Sequence, residues 1–170
     1  MDRDPRRRLS RAALVVALVA SLAAAPALAD GDPASDVLPG SDVYFPYTPK
    51  AGKHLRQELT TLLHQTRRNR YVLKIALIQT RADLGAYPQL MGKPAKYAGQ
   101  LTAELHPYVK NLHLLVIMPG GFAGFGLAKG WKHALRDVRI DASKQSNGLV
   151  RAAIKAVSRL ARQAGHPLSG

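Results

Sequence analysis

The sequence predicts an α/β fold with a small, mostly parallel sheet built around a βαβ core. Two apolar runs, residues 72–79 and 112–118, are rich in Val, Ile and Leu, which is typical of strands buried on both faces. The segment between them has apolar residues at helical spacing, namely Tyr97, Ala98, Leu101 and Leu105. A strand, a crossover helix and a second strand form one βαβ unit, which we expect to be right-handed.

The first 29 residues have the composition of a secretory signal peptide. Five arginines precede an almost wholly apolar run, residues 12–25, and Ala27-Leu28-Ala29 ends it with small side chains. This order predicts export and cleavage after Ala29, which places the mature protein in the cell envelope or outside the cell. An uncleaved membrane anchor is the alternative, because residues 12–29 approach the roughly 17 to 20 apolar residues of a spanning helix.

The remaining chain is basic and lacks cysteine. The full sequence has 25 basic and 11 acidic residues and a formal net charge of +14. Without disulfides, the fold must be held by an ordinary single-domain core. Residues 30–50 are rich in Pro, Gly, Ser and Asp without a helical period, which predicts an extended N-terminal arm. Residues 51–168 are then expected to form one α/β domain.

A helix is predicted at the start of this domain. Apolar residues recur at helical spacing from Ala51 to Leu63. Three cations, Arg67, Arg68 and Arg70, follow where the end of the helix is expected. Cations at that position complement the negative carboxyl end of the helix dipole.

Each predicted strand of the βαβ unit leads into a loop with candidate ligand-binding residues. Ligands of open α/β sheets bind beyond the carboxyl ends of the strands. The first loop contains Asp83 and Gly85, and the second contains Gly120, Gly121 and Gly124. The glycine spacing fits neither the dinucleotide nor the P-loop fingerprint. A tight hairpin with its two phenylalanines packed on the core is the structural alternative.

The C-terminal part of the chain ends in a clear amphipathic helix. Residues 127–144 give weaker signals, from which we expect a short helix around Trp131 and a short edge strand at 138–140. The last helix has an apolar stripe from Leu149 to Ala164. Its polar face carries four cations at spacings of four, four and three, Arg151, Lys155, Arg159 and Arg162. This ridge is a candidate anion-binding surface, and a solvated outer face of a core helix is the alternative.

Several motifs resemble those of a group of exported actinobacterial proteins without assigned function. The motifs are Asp36-Val37-Leu38, Val43-Tyr44-Phe45-Pro46-Tyr47, Lys74-Ile75-Ala76-Leu77-Ile78, Asp83-Leu84-Gly85, Gly92-Lys93-Pro94 with Tyr97-Ala98, and Leu115-Val116-Ile117-Met118-Pro119. More distantly, about 95 residues are similar to the TPM domain, an αβα sandwich of exported and envelope proteins. That similarity rests on the strand and loop near Asp83, the helix with Tyr97, the glycine-flanked second strand and the last helix.

The TPM resemblance implies a three-layer αβα sandwich and several activities. Some family members bind divalent cations or act as phosphatases, and others assist the assembly or repair of membrane complexes. Asp83 matches the acidic position after the first strand, and residues 120–126 match the glycine segment. This chain departs from the family in having few acids near those loops, which weakens the case for a metal site.

The residues favour binding over catalysis. The six histidines are scattered without a serine motif or an H-E-x-x-H pattern, and no nucleic-acid recognition motif is present. The βαβ fold could bring Asp83 and Glu104 together, but one carboxylate pair chosen from the nine acids of residues 30–170 is weak evidence for catalysis. We therefore expect a non-catalytic envelope or secreted binding module without a cofactor, whose partner is an anionic envelope polymer, a membrane surface or an acidic envelope protein. The alternatives are a metal-assisted phosphatase or other hydrolase centred on Asp83, and capture of a small anion by the glycine loop.

Overall fold

A four-stranded mixed sheet forms the centre of the fold. The computed structural model describes residues 31–168, so the predicted signal peptide lies outside the described residues. The strands lie side by side in chain order, as β1 (Val43–Tyr44), β2 (Leu73–Leu77), β3 (His113–Met118) and β4 (Gly121–Phe125). The first three are parallel, and β4 returns antiparallel to β3. The α/β prediction and the β2–helix–β3 unit are confirmed.

Within residues 31–168, five α-helices and three short 3-10 helices accompany the sheet. The α-helices are α1 (Pro33–Val37), α2 (Lys53–Arg68), α3 (Pro94–Leu105), α4 (Trp131–Ala134) and α5 (Gln145–Gln163). The 3-10 helices are Arg81–Leu84, Pro88–Leu90 and Ala142–Lys144. Within the part of the chain described, none of the helices is both long enough and apolar enough to cross a bilayer.

Helices cover both faces of the sheet, because the buried strands present apolar side chains to either side. On β2, Leu73, Ile75 and Leu77 pack with α2 and α5, whereas Ala76 and the following Ile78 pack with α1 and α3. The same alternation divides β3 between the two cores. This arrangement is compatible with the three-layer αβα sandwich.

The two parallel crossovers have opposite hands. Both the β1-α2-β2 and the β2-α3-β3 connections advance in the same direction across the sheet. Their helices, however, pack in cores on opposite faces. Two such crossovers cannot both have the usual right hand.

Residues 30–50, predicted as an extended arm, differ from that prediction because they add a helix and a strand to the domain. Asp32 caps α1, and Val43 and Tyr44 pair in register with Ile75 and Ala76 of β2. A five-residue helix and a two-residue strand are too short to show a period, which is why the sequence pattern does not reveal them.

The predicted edge strand at residues 138–140 does not form. Val138 is buried, but its backbone N–H donates to the carbonyl of Leu135 in a turn. The short helix at Trp131 is confirmed. Val138 therefore packs into the core from a turn and not from a strand.

Candidate functional site

Asp83 lies just after β2, as the sequence predicts, but its carboxylate is buried and bonded within the chain. The residue is 0% exposed. One oxygen, Oδ2, accepts hydrogen bonds from the backbone N–H groups of Gln79 and Thr80 at 3.0 and 2.8 Å. The other accepts from the backbone N–H of Tyr47 at 2.9 Å and, more weakly, from the Tyr44 hydroxyl at 3.4 Å. Asp83 therefore ties the segment after β1 to the loop after β2.

A second buried carboxylate, Asp32, lies beside this loop and was missed by the sequence analysis. The residue is 2% exposed, and its Oδ1 accepts from the Ala34 N–H at 2.9 Å and the Tyr97 hydroxyl at 2.8 Å. Its Oδ2 is buried without a partner among residues 31–168. Burial raises the pKa of Asp32 to about 6, although the hydrogen bond from Tyr97 opposes this. Asp followed by Pro33 is a recognisable helix-capping signal that could have revealed the position.

Glu104 belongs to a separate hydrogen-bonded group. The Tyr87 hydroxyl donates to Oε1 of Glu104 at 2.6 Å, and the Gln100 amide donates to the same oxygen at 3.0 Å. Burial alone would raise the pKa of Glu104, but hydrogen bonds from Tyr87, Gln100 and Ser35 hold it below its usual value. Asp83 and Glu104 share no hydrogen-bond partner, so the structure does not join them into one acid–base pair.

These acids do not form a group that could hold a metal ion. No cluster of three His, Cys, Asp or Glu side chains suited to a metal occurs in the part of the chain that the structure describes. Hard divalent cations prefer several oxygen ligands, mostly from carboxylates. The geometry at Asp83 therefore gives the hydrolase alternative no direct support.

Gly85 has a structural reason to be glycine. Its φ is +48°, and a Cβ at this position would lie 2.6 Å from Cδ of Pro33 and would overlap the carbonyl oxygen of Gly31. The missing side chain lets the start of α1 pack directly on the loop. Nothing at Gly85 is open to a ligand on that side.

The predicted glycine loop is the β3–β4 hairpin. Gly120 lies in the turn and Gly121 begins β4, and both have open space where a Cβ would be. Gly124 is different, because a Cβ there would overlap Leu127 and lie 3.3 Å from the Trp131 ring. The absence of a side chain at Gly124 thus makes room for Leu127 and Trp131. Gly120 and Gly121, in contrast, remain accessible.

The two phenylalanines of the hairpin have different environments. Phe122 packs against the core that contains α2 and α5, as the structural alternative predicts. Phe125 is 46% exposed and lies at the end of β4. The hairpin interpretation is therefore correct for one of the two rings only.

Three of the four cations predicted on the last helix are exposed. Arg151, Lys155 and Arg162 point to solvent, and no ion pair or hydrogen bond within residues 31–168 involves their side chains. Arg159 is partly buried, donates to the carbonyl oxygen of Ala134 at 3.2 Å and lies 3.8 Å from Asp137. Arg159 therefore holds α4 against α5 and is less available to a partner.

An ion-paired cluster that the sequence did not predict joins β2 to α2. Lys74, the polar exception in an apolar strand, is 3% exposed. Its ammonium donates to the Ser41 carbonyl oxygen at 2.7 Å and lies 3.1 Å from the Asp42 carboxylate, which also accepts a bidentate pair of hydrogen bonds from Arg67. Burial would raise the pKa of Asp42, but Arg67 and Lys74 hold it below its usual value. A buried Lys signals that an acid must be near, but the sequence does not say which one.

Charge is divided unequally between the two helix layers. Residues 53–70 and 129–163, which we call the basic layer, contain α2, α4 and α5 and carry 14 basic and three acidic side chains. The rest of residues 30–170 carries six of each. We call α1, α3 and the loops beside them, residues 31–50 and 78–110, the neutral layer. The net charge of residues 30–170 therefore lies in the basic layer.

The basic layer also contains an open groove between α2 and α5. It measures about 550 Å³ and is lined mainly by polar side chains of α2, among them Gln57, Thr61 and Gln65, with Ile154 and Ser158 of α5 on the other side. Exposed Arg151 and Lys155 belong to the same helix as the second wall. The groove lining itself includes Glu58 and contains no Lys or Arg, so these cations lie outside the groove.

Comparison with known proteins gives this chain no family. No protein-family model matches the sequence, and no curated protein is significantly similar to it.

Proposed function

We propose that the mature protein is an exported, non-catalytic binding module that attaches to an anionic polymer of the cell envelope through its basic layer. The observation that carries this proposal is the division of charge, with 14 basic against three acidic residues in the basic layer and a balanced remainder. A one-sided positive field concentrates anionic partners at that face. The signal-peptide composition of residues 1–29 supports a partner outside the cytoplasm.

The exposed surface of α5 favours electrostatic attachment over insertion into a bilayer. Membrane-surface helices bury an apolar face in the headgroup region. The apolar stripe of α5 is already buried in the protein core, where Leu149, Val157 and Leu160 are at most 2% exposed, so it cannot enter a membrane. What remains exposed on this helix is polar, with three cations, Arg151, Lys155 and Arg162, and three uncharged side chains, Gln145, Asn147 and Gln163.

We further propose that the domain is a TPM-like member of the αβα sandwich class. The strand and Asp83 loop, α3 with Tyr97 and Ala98, β3 with its glycine hairpin, and α5 after Gly148 occur in the order of the resemblance. The mixed sheet with helices on both faces is compatible with that assignment. An experimental structure superposed on TPM domains over the whole sheet would test it.

The binding proposal is tested by moving charge without changing its total. One variant combines Arg151→Glu, Lys155→Glu and Arg162→Glu in the basic layer. The matched control combines Lys93→Glu, Lys96→Glu and Lys110→Glu, which are exposed cations outside that layer. Both variants of residues 30–170 change the net charge equally, so only the location differs.

Binding to immobilised dextran sulfate is measured against uncharged dextran over a range of salt concentrations. We expect the wild type to bind the polyanion and to be released as salt shortens the Debye length from about 10 Å at 0.1 M. The basic-layer variant should lose at least about tenfold in affinity, whereas the control should lose much less. Equal losses in both variants, or no salt-sensitive binding by the wild type, would overturn the proposal. Binding to vesicles that contain phosphatidylglycerol but not to dextran sulfate would assign the surface to the membrane instead.

A further inference from the structure

The outer edge of β4 lacks the features that protect edge strands from pairing. Gly121–Phe125 contains no charged residue and no proline, and it pairs with β3 over five consecutive positions without a bulge. Edge strands usually carry one of these devices, because their free N–H and C=O groups otherwise bind another strand. The opposite edge is protected, since β1 has only two residues and is followed closely by Pro46.

The sequence of β4 is complementary to itself in an antiparallel pair. A two-fold axis at Ala123 places Phe122 of one copy opposite Gly124 of the other, and Phe125 opposite Gly121. Residues directly opposite each other in an antiparallel pair lie on the same face, where their side chains interact. Phe125 would then cover Gly121, which has open space where a Cβ would be, and this restores apolar burial that a glycine pair lacks. Phe122 would lie beside Gly124, which Leu127 and Trp131 of its own chain already cover. The pairing would also cover Phe125, now 46% exposed.

The helix above this edge leaves room for a second copy. α3 packs against both β3 and β4. Gln100 and Glu104 mark the flank of α3 that faces Tyr87, toward the α1 side of the layer. The helical period places Ala95 and Gly99 on the other flank, and both are exposed. Small residues there would let two α3 helices approach to the 8–10 Å of ordinary helix packing.

The distribution of charge permits this contact. β4 carries no charge, and residues outside the basic layer are balanced. Pairing through β4 would leave the exposed cations of α5 outward in both copies. We propose that the protein forms a two-fold homodimer in which β4 pairs antiparallel with β4 of a second copy, centred on Ala123, to make one continuous eight-stranded sheet.

Engineered cysteines test the register of this pair, since the chain has no cysteine of its own. In the proposed dimer, Ala123→Cys faces its own symmetry mate, with Cβ atoms about 4.5 to 5.5 Å apart, close to disulfide range. Phe125→Cys faces Gly121 and has no thiol opposite. With residues 30–170 under mild oxidation, we expect Ala123→Cys to form covalent dimers at least about tenfold faster than Phe125→Cys. Equal rates, or a faster Phe125→Cys, would overturn the register and with it the proposal.

The dimer itself is measured by sedimentation equilibrium. Phe125→Lys places a charge on the open edge and should weaken association by at least about tenfold. Its matched control is Tyr108→Lys, which replaces a 74% exposed aromatic residue outside β4 and should leave association unchanged. Gly99→Leu adds bulk on α3 without harming helix formation, and it too should weaken the dimer. A wild type that stays monomeric at about 100 µM, where typical specific interfaces are saturated, would refute the proposal.

Discussion

The two helix layers use their charged side chains in opposite ways. In the neutral layer, Asp83, Asp32 and Glu104 are bonded to tyrosines and backbone N–H groups, and the first two are almost wholly buried. In the basic layer, Arg151, Lys155 and Arg162 are exposed and form no ion pair within residues 31–168. These three acids of the neutral layer are therefore part of the fold, whereas the exposed cations of α5 are available to a partner.

This difference favours the basic layer over the loops after the parallel strands as the proposed binding surface. A loop at the carboxyl end of a strand is the usual ligand site of an α/β sheet. Here α1 packs over that position, and Asp83 and Gly85 serve to hold the N-terminal segment on the sheet. The outer face of α2 and α5 is therefore the surface that we propose for binding.

Replacing Asp83 gives the sharpest test of the structural role assigned to the neutral layer. In Asp83→Ala, the backbone N–H groups of Tyr47, Gln79 and Thr80 lose their acceptor. Each buried donor left unsatisfied costs about 1–3 kcal/mol, so the free energy of unfolding should fall by on the order of 5 kcal/mol in urea denaturation. Asp36→Ala, in an exposed acid of α1, should change it by less than about 0.5 kcal/mol. If Asp83→Ala were as stable as the wild type, the structural role would be wrong, and Asp83 would again be a candidate ligand-binding residue.

A second test concerns Asp42, where charges from both layers meet. Asp42→Ala leaves the buried Lys74 ammonium with only the Ser41 carbonyl, and we expect a loss of about 3–4 kcal/mol in the free energy of unfolding. Lys74→Met alone removes the buried cation but leaves Asp42 its pair with Arg67. Adding Lys74→Met to Asp42→Ala should recover much of the loss, because no unpaired charge remains. A double variant as unstable as Asp42→Ala would show that packing, not charge, explains the effect.

The strongly periodic parts of this fold were predictable from sequence, and the short or buried-polar parts were not. The continuous apolar runs of β2 and β3, and the apolar stripes of α2, α3 and α5, were each sufficient to predict the element that contains them, because these residues are buried. The two-residue β1 forms because it pairs with β2, about 30 residues later in the chain. The sequence of β1 itself therefore does not predict a strand. The position of Asp83 was predicted, but its burial depends on Tyr47, 36 residues away in the chain.

A third test uses pH to distinguish Asp32 from the exposed acids. Burial raises the pKa of Asp32 to about 6 in the folded state, above its ordinary value, so the folded state holds the proton more tightly than the unfolded state. The resulting stabilisation is fully present below about pH 4 and is lost as the pH rises through 6. Relative to Asp32→Asn, the wild type should gain up to about 3 kcal/mol between pH 7 and pH 4. Denaturation at each pH measures this difference, and a difference independent of pH would place Asp32 in contact with water.

The smallest effect is expected where the charges are most numerous. Replacing Arg151, Lys155 and Arg162 together by alanine should change the free energy of unfolding by less than about 0.5 kcal/mol per residue, because exposed side chains without partners contribute little to stability. Arg159→Ala should cost more than any of them, since it loses the bond to the Ala134 carbonyl. If the triple variant were instead strongly destabilised, these cations would belong to the fold, and the contrast between the layers would disappear. If it is stable but no longer binds a polyanion, the basic layer is a surface whose charge serves binding alone.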